Sequence, residues 1–139
     1  MGISGTAPRI TTGKLWHAGR IFFGAWFVYA GAEYFLPQFE QPLGEAQAAH
    51  DFTVALIGSG LFAVVKAVEF VVGVLMLANR FVPATLVINM PISIGVAYWN
   101  FVLEHGAIAV AFGVVCLGLN LALMWPFRKL YLPFLVWKV

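Results

Sequence analysis

Charge is what this chain has least of. Eight basic and six acidic side chains serve 139 residues, 10% of the chain, against ~25% in an ordinary soluble domain. So few charges cannot cover a water-facing surface of this length, which excludes a soluble globular domain. The shortage of Lys and Arg equally excludes a nucleic-acid binder. Cysteine is nearly absent. Cys116 is the single one, so an internal disulfide, a disulfide scaffold and a C-x-x-C redox pair are all excluded. Cys116 lies inside an apolar run and reads as a small apolar residue at a helix contact. Also missing are G-x-S-x-G, H-E-x-x-H, a P-loop and G-x-G-x-x-G. His17, His50 and His105 follow no ligand spacing, and none falls at mid-span, so no metal or haem site is assigned. What is abundant is apolar surface. The chain is 62% hydrophobic with a mean hydropathy of +0.91, which excludes disorder and implies one small integral membrane domain.

Long continuous apolar runs predict helices rather than barrel strands, which alternate. Four spans are expected, over residues 15–36, 52–77, 81–103 and 107–125, after a lead over 1–14 and before a basic, aromatic, interfacial tail over 127–139. Residues 1–8 read as a disordered lead, and no cleavable signal peptide is expected. The second run exceeds the ~30 Å core at ~1.5 Å per residue, so tilt or a buried outer turn is expected there. Pro37 and Pro126 close the first and last runs, and Pro91 should kink the third. Asn79–Arg80 and Glu104–Gly106 make short turns, which force antiparallel neighbours. The fold expected is therefore an all-α, up-down-up-down, four-helix membrane bundle.

Arg9, Lys14, Arg20, Arg80, Arg128, Lys129 and Lys138 fall on one side of this arrangement. Glu40, Glu45, Asp51 and Glu104 fall on the other. The positive-inside rule then places both termini in the cytoplasm, and a bacterial inner membrane is the expected location. Trp16, Trp125, Tyr131 and Trp137 suit the inner interface, and Tyr34 and Trp99 the outer.

Polar residues inside the spans are the candidate functional groups, because hydrocarbon penalises them unless they have partners. Lys66 and Glu69 are three apart and share a helix face, with Ser59 and Gly73 on it. Asn89, Ser93, Asn100 and Glu104 share a face of the third run, and Asn120 is the contribution of the fourth. Glu33 lies near the outer end of the first, below Trp26 and Tyr29. Counted by rise, Glu69, Asn89 and Asn120 lie at similar depth, with Lys66 and Ser93 in a layer nearer the middle. Turned inward, these faces make a polar seam around a buried Lys66–Glu69 pair. The candidate ligand-binding set is Lys66, Glu69, Asn89, Ser93 and Glu33. Three readings stay open: structural glue between helices, a binding or catalytic pocket, and an ion or proton path. Asparagines alone would serve as glue, whereas desolvating an ion pair often exceeds its Coulomb gain, which favours a pocket. The glycines at 58, 60 and 73 are expected to allow close helix approach.

The stretch SGLFAVVKAVEFVVGVLMLANRFVPATLVINMPISIGV resembles the DoxX-like family of small four-helix membrane proteins. The pattern is K-x-x-E-x-x-x-G (Lys66, Glu69, Gly73), a short turn with Arg80, and an apolar helix with Pro83 and Pro91–Ile92. RIFFGAWFVYAGAEYFLP is similar to the family's opening helix and RKLYLPFL to the end of some members, so the resemblance covers roughly residues 14–135. Glu33 stands where some relatives would carry a lysine. The family takes its name from a subunit linked to quinone-dependent oxidation of sulfur compounds, and many members have no assigned reaction. The resemblance implies a fold more than an activity. Two functions are carried forward. One is an accessory or assembly subunit of a larger membrane complex, with the bilayer and other subunits or a second copy as partners and no enzyme activity of its own. The other is a quinone-linked or other small-molecule protein, in which Lys66 donates to a quinone carbonyl and Glu69 tunes that lysine. A minor transporter ranks third. No cofactor is firmly implied. A cavity beside Lys66 and Glu69 would favour the small-molecule reading, and a filled core the subunit reading.

Overall fold

A computed structural model describes residues 11–137. The disordered lead expected over 1–8 and the orientation charges Arg9 and Lys138 lie outside the described residues. Among these residues there is no strand. The principal helices are α1 (Lys14–Glu33), α2 (Gln47–Gly58), α3 (Leu61–Leu77), α4 (Val82–Tyr98) and α5 (Ala107–Met124). A short α6 (Arg128–Tyr131) follows in the tail. Helix α1 packs along α3, α3 on α4, α4 on α5, and α5 returns to α1. Phe23, Phe27, Val72, Met76, Leu86 and Leu123 fill the middle of this circuit.

Two segments are long and apolar enough to cross a membrane, Val82–Glu104 and Ala107–Phe134. Helices α2 and α3 make a third only if counted together. Helix α1 has 20 residues, enough for ~30 Å, but His17 and Arg20 make its first half less apolar than the others.

The uninterrupted helix expected over 52–77 is not formed. The chain bends by 87° between α2 and α3, at Ser59–Gly60. Gly60 takes φ +77°, a left-handed conformation that glycine adopts without a Cβ clash. The Ser59 hydroxyl holds the corner, donating to Leu56 O at 2.9 Å and accepting from Leu61 N–H at 3.3 Å. Gly58 and Gly60 therefore make a corner, not a helix contact, and open space surrounds both. Ser59 is exposed and off the Lys66 face.

Gly73 does allow close approach. A Cβ there would lie 2.7 Å from Gly24 O, and one at Gly31 would lie 2.7 Å from Lys66 O. Two contacts on opposite sides of the α1–α3 seam thus bring backbone against backbone. The α3–α4 connection is a Schellman turn: Asn79 at φ 55° puts Arg80 N–H on Leu75 O at 3.0 Å and Asn79 N–H on Met76 O at 3.2 Å. Val82–Glu104 runs through Pro91 as one 23-residue segment. It widens into a π-helical end over Trp99–Glu104. There Glu104 turns back, and its carboxylate accepts from Glu45 N–H at 3.1 Å and Ala46 N–H at 3.2 Å. It so places negative charge at the α2 N-terminus, where the helix dipole favours it.

Arg20 is not a flanking orientation charge. It is 7% exposed and reaches across from α1 to donate to Met76 O and, at 3.3 Å, to Leu77 O. Those are terminal carbonyls of α3, the negative end of its dipole. The Arg20→Met variant should lose about 1.5–3 kcal/mol, the worth of hydrogen bonds to a charged group. Thermal unfolding in detergent would check this, and an unchanged midpoint would contradict it.

Candidate functional site

Helix α3 presents Lys66 and Glu69 one turn apart on the face it buries. Lys66 Nζ donates to Glu69 Oε2 at 2.8 Å, and the two residues are 8% and 4% exposed. Gly31 of α1 closes over the α3 backbone at Lys66 and Phe70. The ammonium also sits 5.3 Å from the centre of the Phe62 ring, a favourable cation–π position. Tyr34 packs edge-on against that ring at 5.1 Å. Glu33, at the end of α1, is half-buried. Lys66 thus stands between the Glu69 carboxylate and an aromatic face.

A second polar group joins α4 to α5. Asn89 Nδ2 donates to Ser93 Oγ and to Asn120 Oδ1, both at 3.0 Å. Asn120 Nδ2 donates to Leu86 O at 3.3 Å. Ser93 Oγ lies 3.3 Å from Asn120 Oδ1 and 3.9 Å from Cys116 Sγ. All of these side chains are at most 1% exposed. Cys116 occupies a helix contact, as expected, and also touches this network. No hydrogen bond among the described residues joins the network to the Lys66–Glu69 pair. Two acceptors are left over. Asn89 Oδ1 and Thr85 Oγ1 are buried without a partner.

The inward turn of the polar faces holds for Lys66, Glu69, Asn89, Ser93, Asn100 and Asn120. It does not hold for Ser59, nor wholly for Glu33. The buried face of α1 is Arg20, Phe23, Gly24, Phe27 and Gly31, while Tyr29 is exposed and Trp26 packs on Phe112. Asn100 donates to Val96 O in its own helix at 2.7 Å, so it offers little to a ligand. Sequence reasoning missed Thr85 and Arg20. Thr85 lies four residues before Asn89 and shares its face, a legible signal. Arg20 gave none, because its partners are backbone carbonyls.

A groove of about 410 Å³ opens between α3 and α4, lined by Val64, Val68, Val72, Leu75, Thr85 and Ile88 among others. Neither Lys66 nor Glu69 lines it. Among the described residues no three His, Cys, Asp or Glu side chains gather as metal ligands.

No known family model, curated protein or solved structure matches this chain. Chemically, the site is a self-neutralised ion pair beside an amide–hydroxyl network with spare acceptors. Such a site can hold helices in register.

Proposed function

We propose that this chain is a small integral membrane protein of the DoxX-like type that acts as an accessory or assembly subunit of a larger membrane complex. In this reading α1, the α2–α3 pair, α4 and α5 form the expected up-down-up-down bundle. It lies in a bacterial inner membrane with both termini cytoplasmic, and α2 lies across the outer end. The observation that carries it is the closure of the Lys66–Glu69 pair. Its charges satisfy each other at 2.8 Å, both residues are buried, and Gly31 of α1 packs against the α3 backbone at Lys66. A pair so enclosed fixes packing more readily than it binds substrate. The outward faces support the same reading, since Val64, Phe70, Val71, Ile88, Ile94, Val114 and Leu121 are exposed and offer only apolar surface to lipid or to a neighbouring helix.

One observation favours the small-molecule alternative. Thr85 and Asn89 carry unpartnered buried oxygens, and Thr85 also borders the α3–α4 groove. A quinone or similar lipid-soluble molecule entering there would meet the Thr85 hydroxyl, which can donate to a carbonyl oxygen. Gentle extraction from the native membrane, native mass spectrometry and lipid extraction of the same sample test both. Fixed stoichiometry with larger proteins is the expected result. A lone chain or homo-oligomer carrying quinone would overturn the subunit reading.

A further inference from the structure

We propose that the end of the molecule formed by the start of α1, the α3–α4 turn and the tail is a binding surface for anionic phospholipid headgroups. This rests on the membrane reading above and adds a specific lipid class to it. The tertiary structure brings three distant segments together. Trp16 and His17, Asn79 and Phe81, and Phe127 and Leu130 line one groove of about 450 Å³. The segments that supply these lining residues also carry four cations, Lys14, Arg80, Arg128 and Lys129, all exposed. Among the described residues none of the four has a carboxylate partner. The chain's six acidic residues lie in the loop, in α2 or in the helices away from these segments, so the local charge is uncompensated.

Apolar anchors surround the charges. Leu15 is 88% exposed, Phe81 77% and Phe134 84%. Phe81 sits at the apex of the turn at φ 51°, a strained conformation for a bulky residue that aims the ring outward. Arg128 lies 4.8 Å from the Trp125 ring and donates to Trp125 O at 3.1 Å. Exposed aliphatic and aromatic side chains interleaved with unpaired cations are the chemistry of a bilayer interface rich in negative headgroups. A partner protein is the less favoured occupant, because the segments around the groove carry charge of one sign with exposed apolar side chains beside it. His17 is held by Thr12, 3.0 Å from its Nε2, which keeps the imidazole at the groove wall as one more polar contact for a phosphate oxygen.

The test uses the full-length chain reconstituted in mixed vesicles. Brominated phosphatidylglycerol or brominated phosphatidylcholine quenches tryptophan fluorescence, and competition gives relative binding constants. The wild-type chain should prefer phosphatidylglycerol. The Lys14→Gln/Arg80→Gln/Lys129→Gln variant should lose that preference by about fivefold per charge removed, on the order of a hundredfold in all, with phosphatidylcholine binding and helical content unchanged. Equal quenching by the two lipids in the wild type, or an undiminished preference in the variant, would overturn the proposal. An alkaline carbonate wash of native membranes separates the two readings. A chain that stays in the pellet but shows no lipid preference leaves the membrane reading standing and sinks this one. A chain that washes off sinks both.

Discussion

Replacing Lys66 alone with methionine should destabilise the protein by about 3–5 kcal/mol, the cost of stranding a buried charge. Glu69 would then be left buried without its ammonium partner. Glu69→Leu alone should cost less, because Lys66 keeps the Phe62 ring at 5.3 Å. The Lys66→Met/Glu69→Leu double variant should recover stability to within about 1 kcal/mol of wild type or exceed it, since a well-packed apolar pair avoids desolvation altogether. Unfolding in mixed detergent, followed by circular dichroism, measures all three. A double variant as unstable as the worse single one would show that the pair does more than neutralise itself. A double variant that folds but no longer assembles with its complex, or no longer binds a ligand, would move the pair from packing to function.

Substituting valine at Gly31 should disrupt the α1–α3 seam. Its Cβ alone would lie 2.5 Å from Phe70 N and 2.7 Å from Lys66 O. Both are backbone atoms, so no side-chain rotation relieves the clash and the helices must separate. Separation also pulls Arg20 from Met76 O and Leu77 O and opens the lysine–glutamate pair. The loss should therefore reach the top of, or pass, the roughly 1–3 kcal/mol typical of overpacking. Gly118→Ala is the control. It lies within α5 with open space where a Cβ would stand, so alanine should stabilise by about 0.5–1 kcal/mol through helix propensity. Thermal unfolding of both variants decides the matter. If Gly31→Val unfolds at the wild-type temperature, the close approach of α1 and α3 is not what holds this structure.

The two predictions draw on different levels of legibility. Lys66 and Glu69 were readable as a pair because helical spacing of three fixes a common face whatever the tertiary structure. Asn89 and Ser93 were readable for the same reason, and Asn120 as the lone polar residue of its helix. Gly31 was not readable as a contact. A glycine looks alike in sequence whether it makes a corner, as Gly60 does, or a seam, as Gly31 and Gly73 do. Both uses exploit a missing Cβ, and only the position of the second helix tells them apart. The 52–77 run misled for a related reason. Hydropathy counts side chains and is blind to the left-handed φ at Gly60, so two helices at 87° read as one long one.

By itself the sequence determined the composition-level facts: helical structure, apolar exterior, few turns, and a short list of polar side chains that must turn inward. These follow from local properties, namely hydrophobic run length, helical period and the cost of burying charge. Only the tertiary structure decided which carbonyls Arg20 reaches, that Glu104 returns to the start of α2, that Thr85 and Asn89 keep unpartnered oxygens, and that the start of α1, the α3–α4 turn and the tail line one groove. Each of those depends on segments many residues apart coming within a few ångströms, and no periodicity along the chain encodes that separation.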